Sequence, residues 1–306
     1  MRNFLTFRHF LSGLFFRKTR FQRSSLLALF LLTLSLAIGS NRAQAETPAT
    51  APPQLKNLLA QIDAAANQHN VEAVMQFYGE NLSHSDGLTH QSMEKALTEL
   101  WQRYPQLQYR TQLQSWKAEG DAIVAETVTT ITSAQSGENR NQALNATIKS
   151  QQRFENEKIV RQDILSERSQ VSAGAKPPTV DVKLPQQVKP GQQYNFDAIV
   201  QEPLGDDYLL GAVVEEPIKP ENYLSSTPVQ LELLPAGGLF KLGSAPSMAD
   251  DRWVSAVLIR GDGITLVTQR LQVVGQNPPT TQQPGASSQN PAVKKQQLKN
   301  SLQNAE

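Results

Sequence analysis

The chain contains no cysteine. Disulfides, thiolate metal sites, a cysteine nucleophile and a lipid-modified N-terminal cysteine are therefore all excluded. Histidine is scarce, with four residues in 306, one of them the early His9. No dedicated zinc site is expected from so few ligands, and no cofactor motif is evident. A strong charge of either sign is also missing, since the formal net charge is +1. That balance is uneven: Arg2, Arg8, Arg17, Lys18, Arg20, Arg23 and Arg42 precede any acid, and beyond them 22 basic residues face 28 acidic ones. A mildly acidic remainder offers no general field for nucleic acid.

No long hydrophobic span is present either. The uncharged run Ser25–Gly39 falls short of the roughly 20 apolar residues that cross a bilayer. A basic start, this short apolar core and Ala43-Gln44-Ala45 make a Sec-type signal peptide over 1–45, with cleavage expected after Ala45. The mature chain is then expected in the periplasm or outside the cell, with no membrane span. The alternative is retention by an uncleaved N-terminal anchor. No twin arginine precedes the core, which argues against export of a folded, cofactor-loaded protein.

A Pro/Ala/Thr linker over 46–54 leads into a first domain over 55–170. Leu55, Leu58, Leu59 and Ile62 recur at helical spacing. Asn70 is placed to cap a second helix, Val71–Tyr78, with Gly79 as its C-terminal cap. Thr89 opens a third, whose face holds Met93, Leu97, Leu100, Trp101 and Tyr104 before Pro105 ends it. The period then changes from 3.6 to 2. Leu107, Tyr109, Thr111 and Leu113 begin a strand to Trp116, and Gly120-Asp121 turns into Ala122–Ala134. After a polar loop over 135–141, strands follow around Leu144–Phe154 and Lys158–Val171, joined by a turn at Glu155-Asn156-Glu157. Helices covering one face of an antiparallel meander predict an α+β cone.

This element order, the stretch VEAVMQFYGENLSHSDG and the final hairpin RFENEKIVRQDILSE resemble the nuclear-transport-factor-2-like superfamily, which includes SnoaL-like proteins, ketosteroid isomerase, polyketide cyclases and many non-enzymatic domains. The resemblance implies three helices on a curved sheet enclosing a cone-shaped pocket, with a sheet face available to a homodimer. It names Tyr78, His84, Trp101, Tyr104, Trp116 and Glu126 as pocket residues. For acid–base catalysis it points to Tyr78, His84 and Asp86, with Glu126 or Asp163 from the sheet; such work needs a group whose pKa lies near neutrality. His84 and Asp86, two apart on a strand, share a face. Their surroundings, Ser-His-Ser-Asp-Gly-Leu-Thr-His, are equally ordinary turn composition. The chain also departs from the isomerase pattern: Ser85 rather than Asp86 aligns with the catalytic carboxylate, and Leu55–Asn67 lacks the expected tyrosine.

A small-residue and proline linker over 171–178 is expected to separate a second domain, 179–275. Short alternating strands are expected around Val180–Leu184, Tyr194–Val200, Tyr208–Val214, Val229–Leu233, Gly238–Leu242, Trp253–Ile259 and Ile264–Val273, making a β-sandwich. Its opening, VDVKLPQQVKPGQQYNFDAIV, resembles bacterial immunoglobulin-like modules. Acid pairs at Asp206-Asp207, Glu215-Glu216 and Asp250-Asp251 lack the spacing of a calcium loop and read as solvated turns. LFKLGSAPSM, over Leu239–Met248, is either an apolar contact loop or a strand with its turn. The Pro/Gln/Asn/Ser-rich segment 276–306, with Lys294, Lys295 and Lys299, is expected to be disordered. The function expected is an exported, non-enzymatic binding or interaction protein whose cone holds a small apolar ligand or a protein partner. The alternative is a lyase or isomerase using Tyr78, His84 and Asp86.

Overall fold

Proline suits a first helical turn, where an N–H has no partner anyway, and Pro53 opens α1 (Pro53–Asn67) in the computed structural model, which describes residues 45–133, 142–223, 227–234, 237–261 and 263–275. Leu55, Leu58 and Leu59 form the buried stripe of α1, as their spacing predicts. Leu55 is 1% exposed, a burial worth about 2 kcal/mol. Asn70 caps α2 by accepting from the Ala73 N–H at 2.9 Å.

α2 is shorter than expected, covering Val71–Met75 and not reaching Tyr78. The N–H groups of Gln76 and Phe77 still close the turn on Glu72 and Val74. The Phe77 carbonyl is then taken by the Ile159 N–H at 2.8 Å, which pulls the chain into strand β1 (Tyr78–His84). Gly79 thus lies within a strand and caps no helix. Thr89 and Ser92 form a reciprocal capping box on α3 (His90–Arg103), whose Met93 and Trp101 are buried.

Four long antiparallel strands follow: β2 (Leu107–Glu119), β3 (Ala122–Ser133), β4 (Gln142–Glu155) and β5 (Lys158–Gly174). The polar loop expected over 135–141 lies outside the described residues, as do most of the leader and the 276–306 tail. Asn156 and Glu157, both at positive φ, make the two-residue β4–β5 turn.

The strand β5 organises everything after it. One edge pairs with β4 along its length; the other pairs in parallel with β1 and then, over Arg168–Gly174, with β13 (Gly263–Val273). The expected linker at 171–178 is therefore strand through Gly174, because β13 takes up the backbone groups of that segment. The remaining short connection passes so close to β13 that a Cβ on Gly263 would lie 2.1 Å from the Lys176 carbonyl oxygen.

The later strands are β6 (Val180–Lys183), β7 (Gln187–Val188), β8 (Gln193–Val200), β9 (Leu209–Pro217), β10 (Glu232–Leu233), β11 (Gly238–Ser244) and β12 (Arg252–Arg260). The strand expected over 229–233 is reduced to the two residues of β10. Through β13, the cone strands continue into one sheet of order β10-β9-β12-β13-β5-β4-β3-β2. A smaller sheet, β11-β8-β6, packs over β9, β12 and β13. Between the two lie Phe196 and Ala198 from one side and Val254, Leu258 and Leu271 from the other, all at most 1% exposed. LFKLGSAPSM is strand through Ser244, with Phe240 and Leu242 facing solvent. The described residues all fall in one compact unit.

Candidate functional site

The cone encloses a cavity of about 300 Å³. Its apolar wall comes from α1 (Leu59, Ile62), α3 (Leu97, Leu100) and the sheet (Ile131, Ile148). Tyr78, His84 and Trp101 line it, as the sequence suggests. Trp101 does so with its indole N–H tied to the Tyr109 hydroxyl at 2.8 Å.

Three expected pocket residues lie elsewhere. Trp116 is covered by the N-terminal segment, hydrogen-bonding Glu46 through its backbone and Thr50 through its indole. Glu126 sits on the opposite face of β3 from the lining Thr129 and Ile131, paired with Lys149 at 2.5 Å. Tyr104, at the end of α3, meets Gln142 at 3.4 Å outside the cavity. Asp163 pairs with Arg161 on the outer face, at 2.8 Å.

His84 and Asp86 do not form the expected acid–base pair. The Asp86 backbone N–H donates to His84 Nδ1 at 3.1 Å, while its carboxylate turns to the second sheet-forming half. There Arg270 donates to both oxygens, at 3.0 and 2.6 Å, with further bonds from the Ser85 and Tyr223 hydroxyls. Arg270 also meets Asp251 at 3.2 Å and Glu167 at 3.3 Å, and its side chain is fully buried. Burial pushes the Asp86 carboxyl up, but Arg270, aided by Tyr223, outweighs that and holds it below the usual carboxylate value. Burial pulls the Arg270 guanidinium down, and Asp86 more than restores it.

Burial acts on the His84 imidazole and on the Tyr78 and Tyr109 phenols of the wall in favour of their uncharged forms. Burial lowers the His84 pKa, Asp86 opposes this, and Arg270 adds to it, with a net lowering. Since Nδ1 accepts, the neutral ring carries its proton on Nε2. Burial pushes the Tyr78 and Tyr109 phenols up to about 12. Neither Nε2 of His84 nor the Tyr78 hydroxyl hydrogen-bonds a described residue. Asp63 is held by the Thr111 N–H and hydroxyl at 2.7 and 2.6 Å.

Two groups that the sequence did not single out sit beside these. His84, Gln162 and Gln152 are register partners on adjacent strands β1, β5 and β4, so their side chains form one row on the cavity face. The Oε1 atoms of both glutamines are buried without a hydrogen-bond partner. Tyr223, which follows Pro220 in a 3-10 turn of the second half, closes part of the wall. It packs edge-on against Trp253 at 4.8 Å, and Trp253 donates to Glu167 at 3.0 Å. At least one acid of each pair meets a cation, Asp207 with Arg260, Glu215 with Lys241 and Asp251 with Arg270, and Glu215-Glu216 lie within β9 and not in the expected turn. Among the described residues, no group of three or more His, Asp or Glu is placed to hold a metal ion, and no helix is long and apolar enough to cross a membrane.

Residues 175–274 match the family model described as "Domain of unknown function (DUF8623)". No curated protein matches the chain. Among solved structures, the chain is similar to a protein of cystatin-like fold from Nostoc punctiforme, at 16% identity over 39% of this chain and 92% of that one, with a TM-score of 0.30. It is similar to an LEH-like epoxide hydrolase from M. tuberculosis at 9% identity over 36% of this chain and 80% of that one, with a TM-score of 0.27. It is also similar to Bd1075 of Bdellovibrio bacteriovorus, at 16% identity and a TM-score of 0.26, covering 36% of this chain and only 38% of that one.

Proposed function

We propose that this chain is an exported, non-enzymatic binding protein whose cone holds a small apolar ligand, with an immunoglobulin-like module completing the site. The observation that carries this reading is the cavity itself: about 300 Å³, largely apolar, with a few unpartnered polar groups. Ligand sites commonly have that make-up, at roughly 300–1,000 Å³. The state of Asp86 supports binding over proton transfer. Its two oxygens accept from Arg270, Tyr223 and Ser85, and its pKa is moved away from neutrality, whereas a general base needs one near the working pH.

Native mass spectrometry of the exported protein tests the reading. The expected spectrum contains a chain beginning at Glu46 with a retained small molecule that leaves under collisional activation. A ligand-free chain that also takes up no added apolar compound would overturn the ligand reading in favour of an interaction role.

A further inference from the structure

The row His84–Gln162–Gln152 has a chemical preference of its own. The side chain of Gln152 belongs to a residue only 9% exposed, and its Oε1 and that of Gln162 have no donor. Neither oxygen is reached from the cavity as the amides stand, so the row presents to the cavity the two amide groups as wholes, each with a donor and an acceptor end. Beside them stand two donors, Nε2–H of His84 and the Tyr78 hydroxyl, which also lack a partner among the described residues. The charges of the wall point the same way: Asp63 and Glu167 line the cavity, and no Lys or Arg among the described residues does. Arg270, beneath it, is fully buried and engaged by three carboxylates.

We propose that Gln152 and Gln162, with His84 and Tyr78, form the polar end of the ligand site and select an uncharged group that both donates and accepts, a hydroxyl or a carboxamide on an apolar body, while rejecting carboxylates. The group exchanges hydrogen bonds with the glutamine amides and accepts from His84 or Tyr78; the body lies against Leu59, Leu97 and Ile131. An anion would meet the Asp63 carboxylate, held by Thr111, and a Glu167 already shared with Arg270, with no cation on the wall among the described residues to offset it. This inference rests on the ligand-binding reading above.

Calorimetric titration of the full chain with octanol, octanamide and octanoate at pH 7.5 tests it. Octanol and octanamide are expected to bind at least about tenfold more tightly than octanoate, and Gln152→Leu to weaken them by about tenfold, the scale of one lost hydrogen bond. Gln162→Leu serves as the second variant should Gln152→Leu fail to fold. Equal or tighter binding of octanoate, or unchanged octanol affinity in the folded variants, overturns the assignment of this polar end and leaves the binding reading standing. Binding of none of the three compounds overturns both.

Discussion

Arg270 lies on the face of β13 opposite the sandwich core, cross-strand from Trp253, and ends inside the molecule with three acids around it. Its attraction to Asp86 operates between two side chains that are 0% and 2% exposed, where water screens little. Removing one partner strands the other charge, so Arg270→Ala is expected to cost about 3–5 kcal/mol in denaturant unfolding. With Asp86→Asn also present, the loss should fall short of the sum of the single losses by about 0.5–3 kcal/mol; strict additivity would contradict the pairing. His84 gives a pH signature. Its folded pKa is depressed, so its contribution to stability is complete above the ordinary value near 6.5 and is lost as pH falls from there through the folded value. The melting temperature should therefore fall more steeply between pH 7 and 5 in the natural protein than in His84→Gln, and equal slopes would refute this. His84 was read as a pocket residue from the family resemblance, and it lines the cavity. The role of Asp86 was not legible, because its partner is 184 residues away. Arg270 left one signal, a charge inside the run ITLVTQRLQV that must find a partner if buried; the glutamines left none.

At the scale of elements, caps and turns were the readable part. Asn70 and Thr89 announce helix starts through side-chain oxygens that accept from the first turn, and both do so. Periodicity also placed β2 through β5, since alternation needs only one buried face. The end of α2 and the late start of the linker, after Gly174 and not after residue 170, were hidden, because each is decided by pairing with a strand distant in sequence, β5 for Phe77 and β13 for residues 168–174. The β4–β5 turn carries a residual cost. Glu157 holds φ +62, a left-handed conformation that costs a non-glycine residue about 1 kcal/mol. Glu157→Gly is accordingly expected to raise stability by up to about 1 kcal/mol in chemical denaturation, glycine's greater unfolded entropy offsetting part of the gain; a loss of stability would contradict the turn geometry.

Over the whole molecule, the sheet runs unbroken from the cone into the second half, and the Asp86–Arg270–Glu167 cluster ties the same two parts together beside the cavity. Parts joined by a shared sheet and a buried ion cluster should melt together. Scanning calorimetry is expected to give one transition with calorimetric and van't Hoff enthalpies in agreement, and two separated transitions would contradict that coupling. Both parts build the wall of the cavity proposed as a ligand site, Tyr223 from the second half facing the cone residues. The nuclear magnetic resonance spectrum of the isotope-labelled chain titrated with octanol tests this most directly. The His84 ring, the Gln152 and Gln162 amides and the Tyr223 ring are expected to shift together at one affinity. Shifts confined to the exposed Phe240 and Leu242, or no saturable shift at all, would contradict it.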